Sequence, residues 1–144
     1  MNRRAAFQMS FVLVTPLGVA CASASTTPPP KPASVVAISV SATDFAFTPS
    51  TIRVPLGKPV RIQMPNSGVV DHDLRVDLIQ VSNLTSADHE DGHGHGGAAQ
   101  VMAHSAPGKT GWVEFTPTRP GTYELVCTIT GHKDAGMKGT LIVE

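Results

Sequence analysis

Residues 121–143 read Gly-Thr-Tyr-Glu-Leu-Val-Cys-Thr-Ile-Thr-Gly-His-Lys-Asp-Ala-Gly-Met-Lys-Gly-Thr-Leu-Ile-Val. Pro120-Gly121 turns into a strand-like run, Thr122 to Ile129, and Gly139 to Val143 reads as a closing strand. Between them Cys127, His132 and Met137 recur at five-residue intervals. A thiolate, an imidazole and a thioether on one short loop are a soft donor set, and such a set favours copper. Gly131 and Gly136 let the loop close tightly around a small ion.

Working back from this stretch, the same two-residue period recurs. Val36, Ile38 and Val40 alternate with Ala37, Ser39 and Ser41, and Phe45 and Phe47 repeat the pattern. Thr51 to Val54 is a short strand ended by Pro55-Leu56-Gly57. Val60, Ile62 and Met64 alternate with Arg61 and Gln63, and Pro65-Asn66-Ser67-Gly68 is a turn cluster. From His72 to Val81, Leu74, Val76 and Leu78 alternate with polar residues, and Trp112 to Phe115 is a further strand. Core packing is the expectation for Phe45, Phe47, Trp112, Phe115 and Tyr123. The sum is an all-β fold: an antiparallel Greek-key β-sandwich of seven to eight strands, with no convincing helix. Ser82 to Lys109 has few apolar residues and reads as a long His-rich insertion loop.

The chain has 144 residues, 41% hydrophobic and 15% charged. That is too little charge for a disordered polyelectrolyte. Lys+Arg and Asp+Glu are 11 each, so no basic surplus exists to neutralise a phosphate backbone, and nucleic acid is excluded as a partner. Gly 13 and Pro 12 suit short strands joined by turns.

The N-terminus reads as an export leader over residues 1–24. Arg3 and Arg4 precede an uncharged run from Ala5 to Ala20 that is short for a membrane span. Two cleavage readings stay open. Ala22-Ser23-Ala24 has the small-x-small form of a signal-peptidase site, and Leu17-Gly18-Val19-Ala20-Cys21 resembles a lipoprotein signal that would leave Cys21 lipidated. Residues 25–34 form a Pro-rich tether that cannot pack a core. The expected folded domain is then Val35 to Glu144, roughly 110 residues, enough for a sandwich without disulfides.

A fourth donor for the Cys127–His132–Met137 loop must come from another strand, and His72 is the best candidate. Two His, one Cys and a weak axial Met make a blue-copper electron-transfer site. Each residue has a plainer reading alone: Cys127 as a core thiol or a partner of Cys21, His132 as a turn residue, Met137 as core filling. Their joint spacing, with His72 upstream, argues for a metal site.

At these residues the chain resembles the cupredoxins, and its Cys-x4-His-x4-Met spacing is most similar to rusticyanin, auracyanin and sulfocyanin. Phe47-Thr48-Pro49, Val54-Pro55-Leu56-Gly57, Gly121-Thr122-Tyr123 and Met137-Lys138-Gly139-Thr140-Leu141 extend the likeness along the domain. The resemblance implies one mononuclear copper ion, with His72, Cys127 and His132 as equatorial ligands and Met137 axial. It also implies a monomeric electron carrier that is not an enzyme and meets its redox protein partners transiently. One departure is Asp73, where the family commonly has Asn after the first His ligand. By the resemblance, Asp73 would tie to Thr128 and bring negative charge toward the sulfur. A second reading rests on His89, His93, His95 and His104 among Asp88, Glu90 and Asp91: a periplasmic copper chaperone or resistance protein whose loop captures metal. A third class, a structural adhesion-like sandwich, predicts no copper binding.

Overall fold

A computed structural model describes residues 34–87 and 99–144. The expected leader and almost all of the tether, and the His89, His93 and His95 cluster, lie outside the described residues. The described chain is all-β, with eleven strands: β1 Val36–Ser39, β2 Ser41–Thr43, β3 Ala46–Thr48, β4 Thr51–Val54, β5 Val60–Pro65, β6 His72–Ile79, β7 Val81–Ser86, β8 Ala99–Ser105, β9 Thr110–Pro117, β10 Gly121–Val126 and β11 Lys138–Val143. One sheet has the order β1-β5-β9-β7 and the other β4-β11-β10-β6-β8, while β2 and β3 form a small hairpin. The inward residues of both sheets meet in one core. Ile62, Val113 and Phe115 come from the first sheet, and Leu74, Val76, Leu125 and Leu141 from the second; all are at most 1% exposed.

The sandwich is not purely antiparallel. β1 runs parallel to β5, and β4 runs parallel to β11. More strands form than the seven to eight expected, because the run from Val36 divides into β1 and β2 and the expected insertion loop contributes β7 and β8. Most of the described part of the expected insertion over 82–109 is strand: β7 pairs with β9 and β8 pairs with β6. Its period was hidden because the inward positions of β8 carry small or polar side chains. Val101, Ala103 and Ser105 are buried there, between Gln100, Met102 and His104. The run after Gly121 stops at Val126, since the following residues fold into a tight loop.

Several side chains depart from their expected places. Leu78 continues the alternation of Leu74 and Val76 in sequence, yet it is 77% exposed. A bulge between Val76 and Ile79 shifts the register, and Ile79 takes the buried position instead. Leu78 bears the distortion with φ 61°, a left-handed conformation that costs a Leu about 1–2 kcal/mol. Phe45 leaves the core and is exposed, in the turn between β2 and β3. Trp112 is only half-buried, and the Arg61 guanidinium lies 4.4 Å from its ring centroid; Tyr123 is half-buried against the edge of the core. Phe47 and Phe115 are buried as expected.

The topology places the site. β10 lies antiparallel beside β6, so the end of β10 meets the start of β6. Cys127 and His72 therefore share one end of the sandwich, where β11 also begins.

The bulge makes a contrast that urea unfolding measures. Leu74→Ala removes a fully buried side chain and is expected to cost about 2–5 kcal/mol. Leu78→Asn relieves the left-handed strain with little loss of burial and is expected to raise stability by up to about 1 kcal/mol.

Candidate metal centre

Three segments build the centre. His72 is the first residue of β6 and its side chain is fully buried. Cys127 follows β10 and is also fully buried. The chain then winds through a tight loop to His132 and Met137, which are 8% and 0% exposed. Backbone hydrogen bonds fix this loop. His132 N–H donates to the Ile129 carbonyl (3.0 Å), Ala135 N–H to Gly131 (3.0 Å) and Met137 N–H to His132 (2.9 Å). Cys127 N–H donates to the Met137 carbonyl (3.1 Å), closing the loop on itself. Gly131 and Gly136 supply the left-handed residues it needs, with φ 82° and 107°.

The donor atoms of His72, Cys127 and His132 all lie within 4.8 Å of one another. Cys127 Sγ is 3.4 Å from His132 Nδ1, and the two imidazole centroids are 5.0 Å apart. The structure thus brings the expected residues together. Met137 joins them as the buried residue whose backbone is bonded to both Cys127 and His132. His104 stays outside the cluster on β8, half-exposed, 3.8 Å from Asp71.

An ion fits these residues on physical grounds. Both ring nitrogens of His72 are buried without a hydrogen-bond partner, which costs about 1–3 kcal/mol unless a ligand satisfies one of them. Burial holds the His72 pKa below the ordinary histidine value; the neighbouring His132 adds to this and the Asp44 carboxylate opposes it. The ring is therefore neutral at pH 7, the form a metal requires. Burial raises the Cys127 pKa, against backbone hydrogen bonds from Asp73 and Ile129. Its thiol keeps its proton until a cation displaces it. Two imidazoles, a thiol and a thioether form a donor set that takes copper.

Around the donors sits a layer the sequence showed only in part. Asp73 accepts the Thr128 N–H at 2.6 Å and also the Thr128 hydroxyl, the tie expected from the family likeness. Asn66, foreseen only as part of a turn, is 3% exposed. Its Nδ2 donates to the carbonyls of Val70 (2.8 Å) and Ser105 (2.9 Å), and its Oδ1 accepts the Gly68 N–H (2.9 Å). Phe45 packs edge-on against the His132 ring at 5.1 Å. Asp44, next to it, points Oδ1 at His72 Nε2 from 3.6 Å. No spacing or motif in the sequence marks Asp44 or Phe45 as neighbours of the histidines; the period that Phe45 shares with Phe47 points to the core instead.

Comparison with known proteins agrees with this architecture. The copper-resistant cuproprotein CopI of Rubrivivax gelatinosus is 30% identical over 105 residues, covering 67% of this chain and 59% of that protein's length. Auracyanin-B of Chloroflexus aurantiacus is 56% identical over 36 residues, which is 25% of this chain and 15% of that protein. The solved structure of auracyanin A, a "blue" copper protein of Chloroflexus aurantiacus, shares the fold with a TM-score of 0.58 at 21% identity, over 77% of this chain and 100% of that one. The family model described as a cupredoxin-like domain matches residues 13–143, and the chain belongs to that family.

Proposed function

We propose that the chain is an exported mononuclear copper protein that carries single electrons between redox partners. In this reading His72, Cys127 and His132 are the equatorial ligands and Met137 the weak axial one. The observation that carries it is the fully buried His72, with both ring nitrogens unpartnered, facing Cys127 and His132 in one compact cluster. Bound copper supplies a one-electron couple. The chain holds the donors still. Cys127 and Met137 are tied to one another through the loop backbone, and Asp73 ties the Cys127 side to the His72 strand. With four protein donors no position is left for a substrate, which favours a carrier over an enzyme. His132 is the outermost ligand and the natural exit for the electron. In this reading residues 1–24 act as an export leader that delivers the protein to the periplasm or cell surface, with Cys21 as a point of lipid attachment if the lipoprotein signal is the one used.

Copper(II) added to the protein is expected to give an intense blue or green thiolate band that Cys127→Ser abolishes, with visible absorption and electron spin resonance as the readouts. A colourless wild-type protein overturns the assignment.

Asp73 stands close to the sulfur as a carboxylate where the family commonly has an amide. Its charge favours the more positive, oxidised ion. Asp73→Asn keeps an acceptor for Thr128 and is expected to raise the midpoint potential, by about 59 mV for each tenfold change in relative affinity. An unchanged potential removes the charge argument.

A second reading, copper resistance, is favoured by the CopI relative and by His89, His93 and His95 in the sequence. Deletion of residues 88–97 separates the two. Lower copper tolerance in cells with an intact blue band supports resistance, whereas unchanged tolerance and uptake leave electron transfer alone.

A further inference from the structure

The Nε2 edge of His72 is met by two separate segments. The turn between β2 and β3 brings Asp44, whose Oδ1 stands 3.6 Å from Nε2. The loop before β6 brings Val69, whose N–H donates to the same Oδ1 at 3.0 Å. It also brings Gly68. A Cβ at Gly68 would lie 2.3 Å from Asp44 Oδ1 and 2.9 Å from His72 Nε2. Only a residue without a side chain leaves room for the carboxylate and the ring to face one another. Asn66 pins this loop through Gly68, Val70 and Ser105.

We propose that Asp44 is the positioning residue of the metal centre, accepting the Nε2–H of His72 and so fixing the tautomer that turns Nδ1 toward Cys127 and His132. The proposal rests on the reading of His72 as a ligand. At 3.6 Å the contact is longer than a hydrogen bond, and a shift of about half an ångström by an exposed-side carboxylate closes it. A carboxylate behind a ligating imidazole orients the ring and raises its basicity. It also adds negative charge near the ion, which favours the oxidised form. The Val69 amide keeps the carboxylate aimed, and Gly68 keeps the approach open. Asp44 neither touches the ion nor takes part in electron exchange; it acts through His72.

The test uses the full chain. Asp44→Asn has the same shape and keeps an acceptor for Val69, but loses the charge and so weakens the hydrogen bond to the ring N–H. The ratio of copper(II) to copper(I) affinity is expected to fall about 10-fold to 100-fold, a rise in potential of about 59 mV per tenfold, with the unfolding midpoint near that of wild type. A folded variant that no longer retains copper(II) supports the proposal in its stronger form. A metal-free readout runs beside it: ring nitrogen shifts of His72 are expected to place the single proton on Nε2 in the wild type and to divide it between the Nδ1–H and Nε2–H tautomers of the neutral ring in Asp44→Ala. A blue wild-type protein whose potential is unmoved by Asp44→Asn overturns this role and leaves the copper assignment standing. A wild-type protein with no thiolate band overturns both. Should Asp44→Asn fail to fold, a metal-free wild type with its proton on Nδ1 still overturns the role.

Discussion

The Asp73 carboxylate joins the two halves of the centre. It sits on β6 directly after His72 and receives both the amide and the hydroxyl of Thr128, the residue after Cys127. A carboxylate taking two donors from one residue leaves that residue little freedom, so the strand carrying one donor and the loop carrying the others move as a unit. The tie forms only because β10 runs antiparallel beside β6 and ends where β6 begins. The pairing of Leu125 with Val76 and of Val126 with Arg75 sets that alignment, and the alternating core residues on both strands hold it. A one-residue slip would turn His72 away from Cys127 and break the tie between Asp73 and Thr128.

Rigidity in the loop is supplied differently. Its residues bury few large side chains, and its shape comes from backbone hydrogen bonds and two left-handed glycines. The donors therefore stand close together before any ion arrives, and the cost of ordering them has been met by folding. His72 shows the balance most clearly. Its burial disfavours a proton, and the lack of a partner for its nitrogens disfavours the empty centre; both effects leave the ring ready for a cation.

Much of this was legible in the residues. Cys127, His132 and Met137 are near neighbours in the chain, so their shared chemistry shows as spacing. His72 was reachable because it opens a strand of clear period. What stayed hidden depended on contacts between distant segments. Asp44 and Phe45 lie on a turn whose approach to the histidines follows from the packing of the β2–β3 hairpin, and no local pattern encodes it. The strand β8 escaped notice because Ala103 and Ser105 are inward yet carry little hydrophobic signal. Leu78 misled in the opposite sense, since a bulge can move a residue to the other face without any mark in the alternation. Asn66 looked like an ordinary turn residue, because side-chain amides that bridge loops are indistinguishable in sequence from those that face water.

The strands that flank residues 88–98 lie at the rims of different sheets: β7 is the outermost strand of one and β8 the outermost strand of the other. Chain added or removed between them enters and leaves at margins, and no inner strand has to be re-registered to make room. His72, Cys127, His132 and Met137 all come from other parts of the chain. The length and composition of this segment can thus change without disturbing the cluster that His72, Cys127, His132 and Met137 form.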